Sequence, residues 1–524
     1  MAENTLNNIR IKHKMDTSTN WSTKNPAIKK GELIIESDVN YSDDGNIKSD
    51  GTTIHVGKSD SSHVIVDDET AEFIDKKQTI STAKEIFNNN VVDCTSEEYD
   101  GLPNSKYSDN KVYFISDDDE SEQVPIIYGI HINPSESNPS EAVTYINDAV
   151  GMIPAKMTSS GFSYGTWANA FFMPKPCMVK YDGTVDYYLD PNDYSKKMDG
   201  SNSDIADSSY EGNAMVEWPL IYYKFEQSGS VIGEGNFYVS NVKVDNSYVC
   251  YCNYDCNDNI IPHFYTAIYN GTGTSKLRSL SGVALTNDNG NGGTTATDEI
   301  ARAIANNTTA STEWYTFVLS DTQLITMLLV LMGKSIDCQS VFGKGLCAGG
   351  QTIKESYVTG MLNDKGMFWG DITRNYPVKV FGMENFWGCV WTRVAGMTLG
   401  LGKYKIKLTY GIIDGSDSPG YNTGGTKYIN TNISQPSNGF LSKMTFNSKG
   451  FFPSESSGSS STYYSDYFNR GNTFLNQYLM VGGYCFSSTI EYGGPFCMSL
   501  ANVPSDTSWA ISTRLSLKPK KPSV

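Results

Sequence analysis

The residues that could carry out chemistry are few and poorly grouped. The chain has five histidines, His13, His55, His63, His131 and His263, and no H-E-x-x-H or P-loop spacing. One G-x-S-x-G match occurs, Gly161-Phe162-Ser163-Tyr164-Gly165. A nucleophile elbow needs a buried strand just before the serine and a helix just after it. Met157-Thr158-Ser159-Ser160 is too polar for that strand, so a glycine-flanked turn is expected. Cys250, Cys252 and Cys256 form a C-x-C-x3-C cluster near His263. Structural zinc sites favour C-x2-C pairs, and strand alternation would put Cys250 and Cys252 on one face. These thiols are expected to be ordinary core or surface groups rather than metal ligands. Glycoside hydrolysis needs only two carboxylates and leaves no short motif, so a polysaccharide depolymerase remains a lesser alternative. The expectation is no enzyme, no catalytic residue, no metal and no cofactor.

Binding chemistry is more concentrated. Residues 454–494 hold nine Ser, six Tyr, six Gly and three Asn among 41 positions. Tyrosine supplies rigid, amphipathic contact area at low entropy cost, and Ser, Gly and Asn supply adaptable hydrogen bonds. A sugar ring, with apolar C–H faces and many hydroxyls, matches such a surface. The candidate ligand-binding residues are Tyr463, Tyr464, Tyr467, Asn469, Arg470, Asn472, Tyr478, Tyr484 and Tyr492.

The elements that would position them are mostly short strands. Ile9-Arg10-Ile11-Lys12, Gly31 to Ile35 and Thr53 to Val56 have strand character, with turn chemistry at Asp43-Asp44-Gly45-Asn46. Glu69 to Asn88 has rough helical periodicity. A strand is expected around Val112 to Ile115, followed by the solvated acidic run Asp117 to Glu120. Asn138-Pro139 reads as the start of a short helix ending near Gly151. Further on, Asp298 to Ala305 is expected as a helix capped by Thr297. Asp321 to Met332 is expected as another, capped by Ser320 and Gln323, stopped by Gly333, and apolar nearly all round. Val380 to Val394 is apolar on both faces and reads as a central buried strand.

The whole chain has 524 residues, 41 Lys+Arg against 58 Asp+Glu, and a net charge of −17. That balance opposes broad phosphate-backbone binding, so no nucleic-acid partner is expected. The longest apolar run, Leu324 to Met332, is far shorter than the ~20 residues of a membrane span. The first residues show no basic and apolar leader, so synthesis in a cytoplasm and ten reduced cysteines are expected. No repeat of 20–50 residues appears, which disfavours solenoids.

Several motifs resemble one family. Trp21-x3-Asn25-Pro26-x-Ile28-x2-Gly31-Glu32-Leu33, with Ile54-His55-Val56-Gly57, resembles the β-rich N-terminal unit of bacteriophage tail-fibre proteins, although Lys58-Ser59 follows Gly57 where that family has Asp-Gly. Tyr128 to Ile132 and Asn138-Pro139 through Ile146 resemble the linker before large fibre heads. Glu384 to Trp391, Gly482-Gly483, Gly493-Gly494-Pro495-Phe496 and Thr513 to Leu517 are similar to the C-type-lectin-like fold of phage receptor-binding proteins and of diversity-generating-retroelement target proteins. The resemblance implies an α+β multidomain virion fibre. Residues 1–68 would form a β-rich attachment unit, 69–150 a helical and short-strand neck, and 151–524 a C-type-lectin-like receptor-binding head. It further implies a homotrimer carried on a tail or head fibre, bound to other virion proteins through its N-terminal unit and to a bacterial surface receptor, commonly a glycan in this family, through its C-terminal one. The Glu-Pro-Asn and Trp-Asn-Asp calcium signatures of animal C-type lectins are absent, so no calcium dependence is expected. The cysteine pair of the related formylglycine-generating enzymes has no counterpart in spacing at Cys485 and Cys497. A purely structural virion protein, as a head fibre or a baseplate or tail decoration, is the main alternative.

Overall fold

A computed structural model of the chain divides into two compact units, Met1–Val124 and Pro125–Val524. The structure describes the strands of the first unit, and residues 125–285, 294–308, 313–350, 352, 356–409, 428–470, 475–485 and 493–520 of the second. The described elements of the first unit are strands, and strands predominate among the described elements of the second.

In the first unit Met15–Asp16, Leu33–Tyr41, Ile47–Gly57 and His63–Val66 form a four-stranded sheet in that order. The two long strands pair antiparallel from Leu33 with Val56 to Tyr41 with Ile47. The expected strand at 53–56 falls within the second of them, and residues 33–35 of the one expected at 31–35 fall within the first, while Gly31 and Glu32 lie outside the described residues. Val112–Ile115 is a strand as expected and pairs parallel with Val91–Cys94. The readings at 9–12, 43–46, 69–88 and 117–120 lie outside the described residues.

The second unit begins before residue 150. Ile127–Ile132 and Val143–Asn147, assigned above to the neck, form a sheet with Gly235–Ser240 and Tyr222–Gln227. The helix expected after Asn138 is only a turn, in which Ala142 N donates to Asn138 O at 2.9 Å. The β-branched and aromatic residues of Val143-Thr144-Tyr145-Ile146 then favour a strand, alternating buried and solvent-facing along its first three residues.

A seven-stranded sheet runs Asp193–Lys197, Val185–Asp190, Lys175–Lys180, Gly212–Pro219, His263–Ala267, Leu515–Leu517 and Trp314–Thr316. An eight-stranded sheet runs Ile429–Ser434, Lys403–Ile406, Trp391–Gly400, Leu475–Gly483, Gly493–Ser499, Tyr467–Asn469 and Gly439–Phe440, with Ile511–Ser512 added parallel to Trp391–Gly400.

Helix α1 (Ala296–Ile304) is capped by Thr295, two residues earlier than expected, through Oγ1 accepting from Asp298 N at 3.1 Å. Helix α2 (Leu319–Gly333) is buried at every position, as its all-round apolar sequence demands. Its cap differs from expectation. Val318 is the N-cap without a side-chain bond, and Gln323 reaches out to Phe451 O at 3.0 Å instead of back to its own first turn. The left-handed residue that stops it is Lys334, one position after Gly333. Helix α3 (Cys338–Phe342) follows at once.

The stretch 380–394 is buried throughout, but it is not one strand. Phe381, Gly382, Asn385, Gly388 and Cys389 all have positive φ, which breaks an extended run into a buried loop. The long strand starts only at Trp391. Arg514 holds this loop in place. Its fully buried guanidinium donates to the carbonyls of Ala267, Ile268, Glu384 and Asn385.

Candidate functional site

The expected binding segment is centred on the strand Tyr467–Asn469, which has two neighbours. Phe468 and Asn469 pair parallel with Met498 and Ser499, and Phe468 and Tyr467 pair antiparallel with Gly439 and Phe440. Strand alternation then sorts the side chains. Phe468 is buried, while Tyr467 and Asn469 are half-buried, as is Arg470 beyond them. The Tyr467 ring meets Phe440 edge-on at 5.3 Å. Arg470 N donates to Asn438 Oδ1 at 2.6 Å, tying the strand end to the adjoining turn.

The chain arrives at this strand through a forced bend. Tyr463 and Ser465 both have left-handed φ, 57° and 55°. Between them Tyr464 turns inward, 2% exposed, and packs on Phe496 at 4.8 Å. Burial raises its hydroxyl far above the ordinary tyrosine range. Tyr463 stays half-buried, its N–H donating to Ser137 O at 2.8 Å. Asp466 is buried beside Tyr464. Its carboxylate accepts from Gln339 Nε2 at 2.6 Å and from Phe496 N at 2.7 Å. Burial first, and then the charge of Asp337, raises its pKa well above the usual aspartate value. Gly494 is required here, because a Cβ at its φ of +104° would lie 2.1 Å from Asp466 Oδ1.

Tyr478 is also internal and fully buried. Its hydroxyl accepts from Arg393 Nε at 2.9 Å, and burial pushes its pKa up to about 12. Arg393 in turn pairs with Glu299 of α1 at 2.7 Å and donates to Thr294 O and Asp506 O. Tyr484 is half-buried, with ring contacts to Trp391 at 5.9 Å and Trp509 at 5.8 Å. Asn472 and Tyr492 lie outside the described residues.

The structure therefore divides the candidate set. Tyr464 and Tyr478 are corrected from ligand contacts to core pins, since rings without solvent exposure cannot touch a ligand. Tyr463, Tyr467, Asn469, Arg470 and Tyr484 keep some accessible surface. The serines are also partly engaged with their own loop. Ser459 N donates to Thr462 Oγ1 at 2.9 Å, and the Ser457 and Ser442 hydroxyls lie 2.9 Å apart.

The other motifs do not converge on a reaction centre. Ser163 is exposed on the hairpin strand Gly161–Ser163, and His263 is exposed at the start of a strand in a different sheet. Cys250 to Cys252 leads into a one-turn 3₁₀ helix rather than a strand, because the chain turns at Tyr251–Asn253. Burial pushes the Cys250 thiol up to about 11, which disfavours the thiolate a metal would need. Cys252 is fully buried, with its sulfur 3.9 Å from the Tyr223 hydroxyl. Among the described residues no helix is long and apolar enough to cross a membrane.

One aromatic pair escaped the sequence reading. Trp369 and Tyr376 sit outside the Tyr/Ser segment, half-buried and exposed respectively, with rings 6.2 Å apart. Two isolated aromatics in a mixed loop carry no compositional signal.

No protein-family model matches the chain, and no curated protein matches it.

Proposed function

We propose that this chain is a bacteriophage virion fibre protein that binds a bacterial surface, with a C-type-lectin-like head formed by its C-terminal unit. The observation carrying this reading is the sorting of side chains along 463–470. Tyr464 and Phe468 are locked inside, while Tyr463, Tyr467, Asn469 and Arg470 keep accessible surface on the same short stretch. Aromatic and hydrogen-bonding groups fixed on a rigid backbone bind with little ordering cost. The predominance of strands among the described elements, and the division of the chain into a smaller unit followed in sequence by a larger one, support this reading. A weak glycan contact of about 4 kcal/mol per head, multiplied across a homotrimer, would hold a particle to a cell.

The test is binding of the labelled, purified chain to a panel of bacterial strains. The fourfold variant Tyr463→Ala, Tyr467→Ala, Asn469→Ala and Arg470→Ala should lose adsorption while retaining its thermal unfolding profile. Adsorption equal to the parent would remove this face from the function. Light scattering should give three times the monomer mass.

A structural virion protein is the second reading, and one observation favours it. None of the described tyrosines of the 454–494 segment is fully exposed. Finding the chain on particles, with no strain bound by the purified protein, would establish that role.

A further inference from the structure

The loop 369–379 carries exposed hydrocarbon on a backbone that is tied down along its length. Trp369 N donates to Lys379 O at 2.8 Å and Lys379 N donates back to Trp369 O at 2.7 Å, closing the loop at its base. Lys344 N donates to Asp371 O at 2.8 Å, and Cys347 N to Arg374 O at 3.0 Å. Thr373 N donates to Asp371 Oδ1 at 2.6 Å. Gly370 lies against backbone so closely that a Cβ there would fall 1.8 Å from Phe342 O. The buried Lys379 adds a further tie, its Nζ donating to Leu362 O at 2.9 Å.

On this fixed frame Tyr376 is 51% exposed and Ile372 86% exposed. The Trp369 ring is half-buried and stands nearly perpendicular to Tyr376, at 82° with centroids 6.2 Å apart. Two aromatic rings at a right angle make a corner whose walls are apolar. The flanks are polar, with Asp371, Thr373, Arg374 and Asn375 on the same loop.

We propose that Trp369 and Tyr376 form a stacking platform for a neutral hexose unit of a surface glycan. This site rests on the attachment reading above and lies outside the segment assigned there. The chemistry selects the occupant. A hexose presents a patch of C–H bonds to an aromatic face and hydroxyls to neighbouring donors and acceptors, which matches an amphipathic corner. A protein partner would need roughly 800 Å² of contact from this side, far more than two rings and one isoleucine offer. An acidic polysaccharide is disfavoured by the net charge of −17.

The probes are neutral oligosaccharides of glucose, galactose and mannose, titrated against the full chain by calorimetry and saturation-transfer NMR. Binding to at least one is expected at roughly millimolar strength. Trp369→Ala and Tyr376→Ala should each weaken it by about tenfold or more, and Tyr376→Phe should retain it, because the ring rather than the hydroxyl does the stacking. Tyr376 is half exposed, so its alanine variant keeps the fold even if Trp369→Ala disturbs the loop. Absence of binding to all three sugar classes overturns the platform, as does affinity unchanged in both alanine variants. Adsorption to bacteria separates the two ideas. Cells bound by the parent with no sugar binding defeat the platform and leave attachment standing. Sugar binding lost in the alanine variants, with no cell bound by the parent, upholds the platform and defeats attachment.

Discussion

Leu515–Leu517 and Tyr467–Asn469 are both three-residue strands with a neighbour on each side, and both are flanked by charged residues. Three residues supply too few ladder bonds to hold a strand alone, so the flanks decide its character. Around Leu515–Leu517 both flanks are internal. Arg514 and Lys518 are fully buried, with Lys518 Nζ 2.6 Å from Asp321 Oδ1 on α2. Around Tyr467–Asn469 only Asp466 is buried, and Arg470 stays near the surface. Two buried charges make a strand a piece of architecture. One buried charge fixes the backbone and leaves its other face free to present groups outward.

The contrast fails most visibly if the internal pair proves dispensable. Lys518→Met alone should lower the stability of the C-terminal unit by about 3–5 kcal/mol, because it strands Asp321 in the core without its partner. The double variant Lys518→Met and Asp321→Leu should recover most of that loss. Thermal unfolding of all three proteins measures both effects, and equal stability of single and double variants would contradict the assignment.

Next in size is the inward and outward sorting of adjacent tyrosines. Tyr464→Ala empties a ring-sized space and should cost about 3 kcal/mol, whereas Tyr463→Ala should cost under about 1 kcal/mol. Denaturant midpoints compare them directly. Tyr478→Phe should fall between the two, at about 1–3 kcal/mol, since it leaves the Arg393 Nε donor without its acceptor.

The smallest expected effect is a slope against pH. Asp466 has a raised pKa in the folded chain, so it holds a proton over a range in which the unfolded chain has released it. Its contribution to stability is complete below the ordinary aspartate value and fades as pH rises toward the raised one. The stability of the parent minus that of Asp466→Asn should therefore decline as pH increases from about 4. A difference that grows with pH would mean that Asp466 is held as a stabilised carboxylate instead.

The parts of the molecule legible in the sequence are those where burial alone determines structure. Helix α2 is apolar on every side, so both its existence and its depth follow from residue type. The stretch 380–394 was recognisable as core for the same reason, but its course depends on left-handed residues at Phe381, Asn385 and Cys389, for which side-chain chemistry gives no sign. Tyrosine composition marked 454–494 as unusual without distinguishing rings that face in from rings that face out. The left-handed pair Tyr463 and Ser465 interrupts the alternation just before the strand, so simple parity misplaces Ser465, which is buried between Tyr464 and Asp466. Lys518 looks like part of a basic tail, and its acidic partner lies 197 residues earlier. Pairing over such separations leaves no local trace.

The placement of Leu515–Leu517 also sets an order of events during synthesis. It bridges His263–Ala267 and Trp314–Thr316, translated about 250 and about 200 residues before it respectively. A nascent chain that has reached residue 500 holds both outer partners with an empty slot between them, each presenting unsatisfied backbone to other chains. Shielding by a chaperone, or crowding among ribosomes on one message, would then decide how much of the protein reaches its final form.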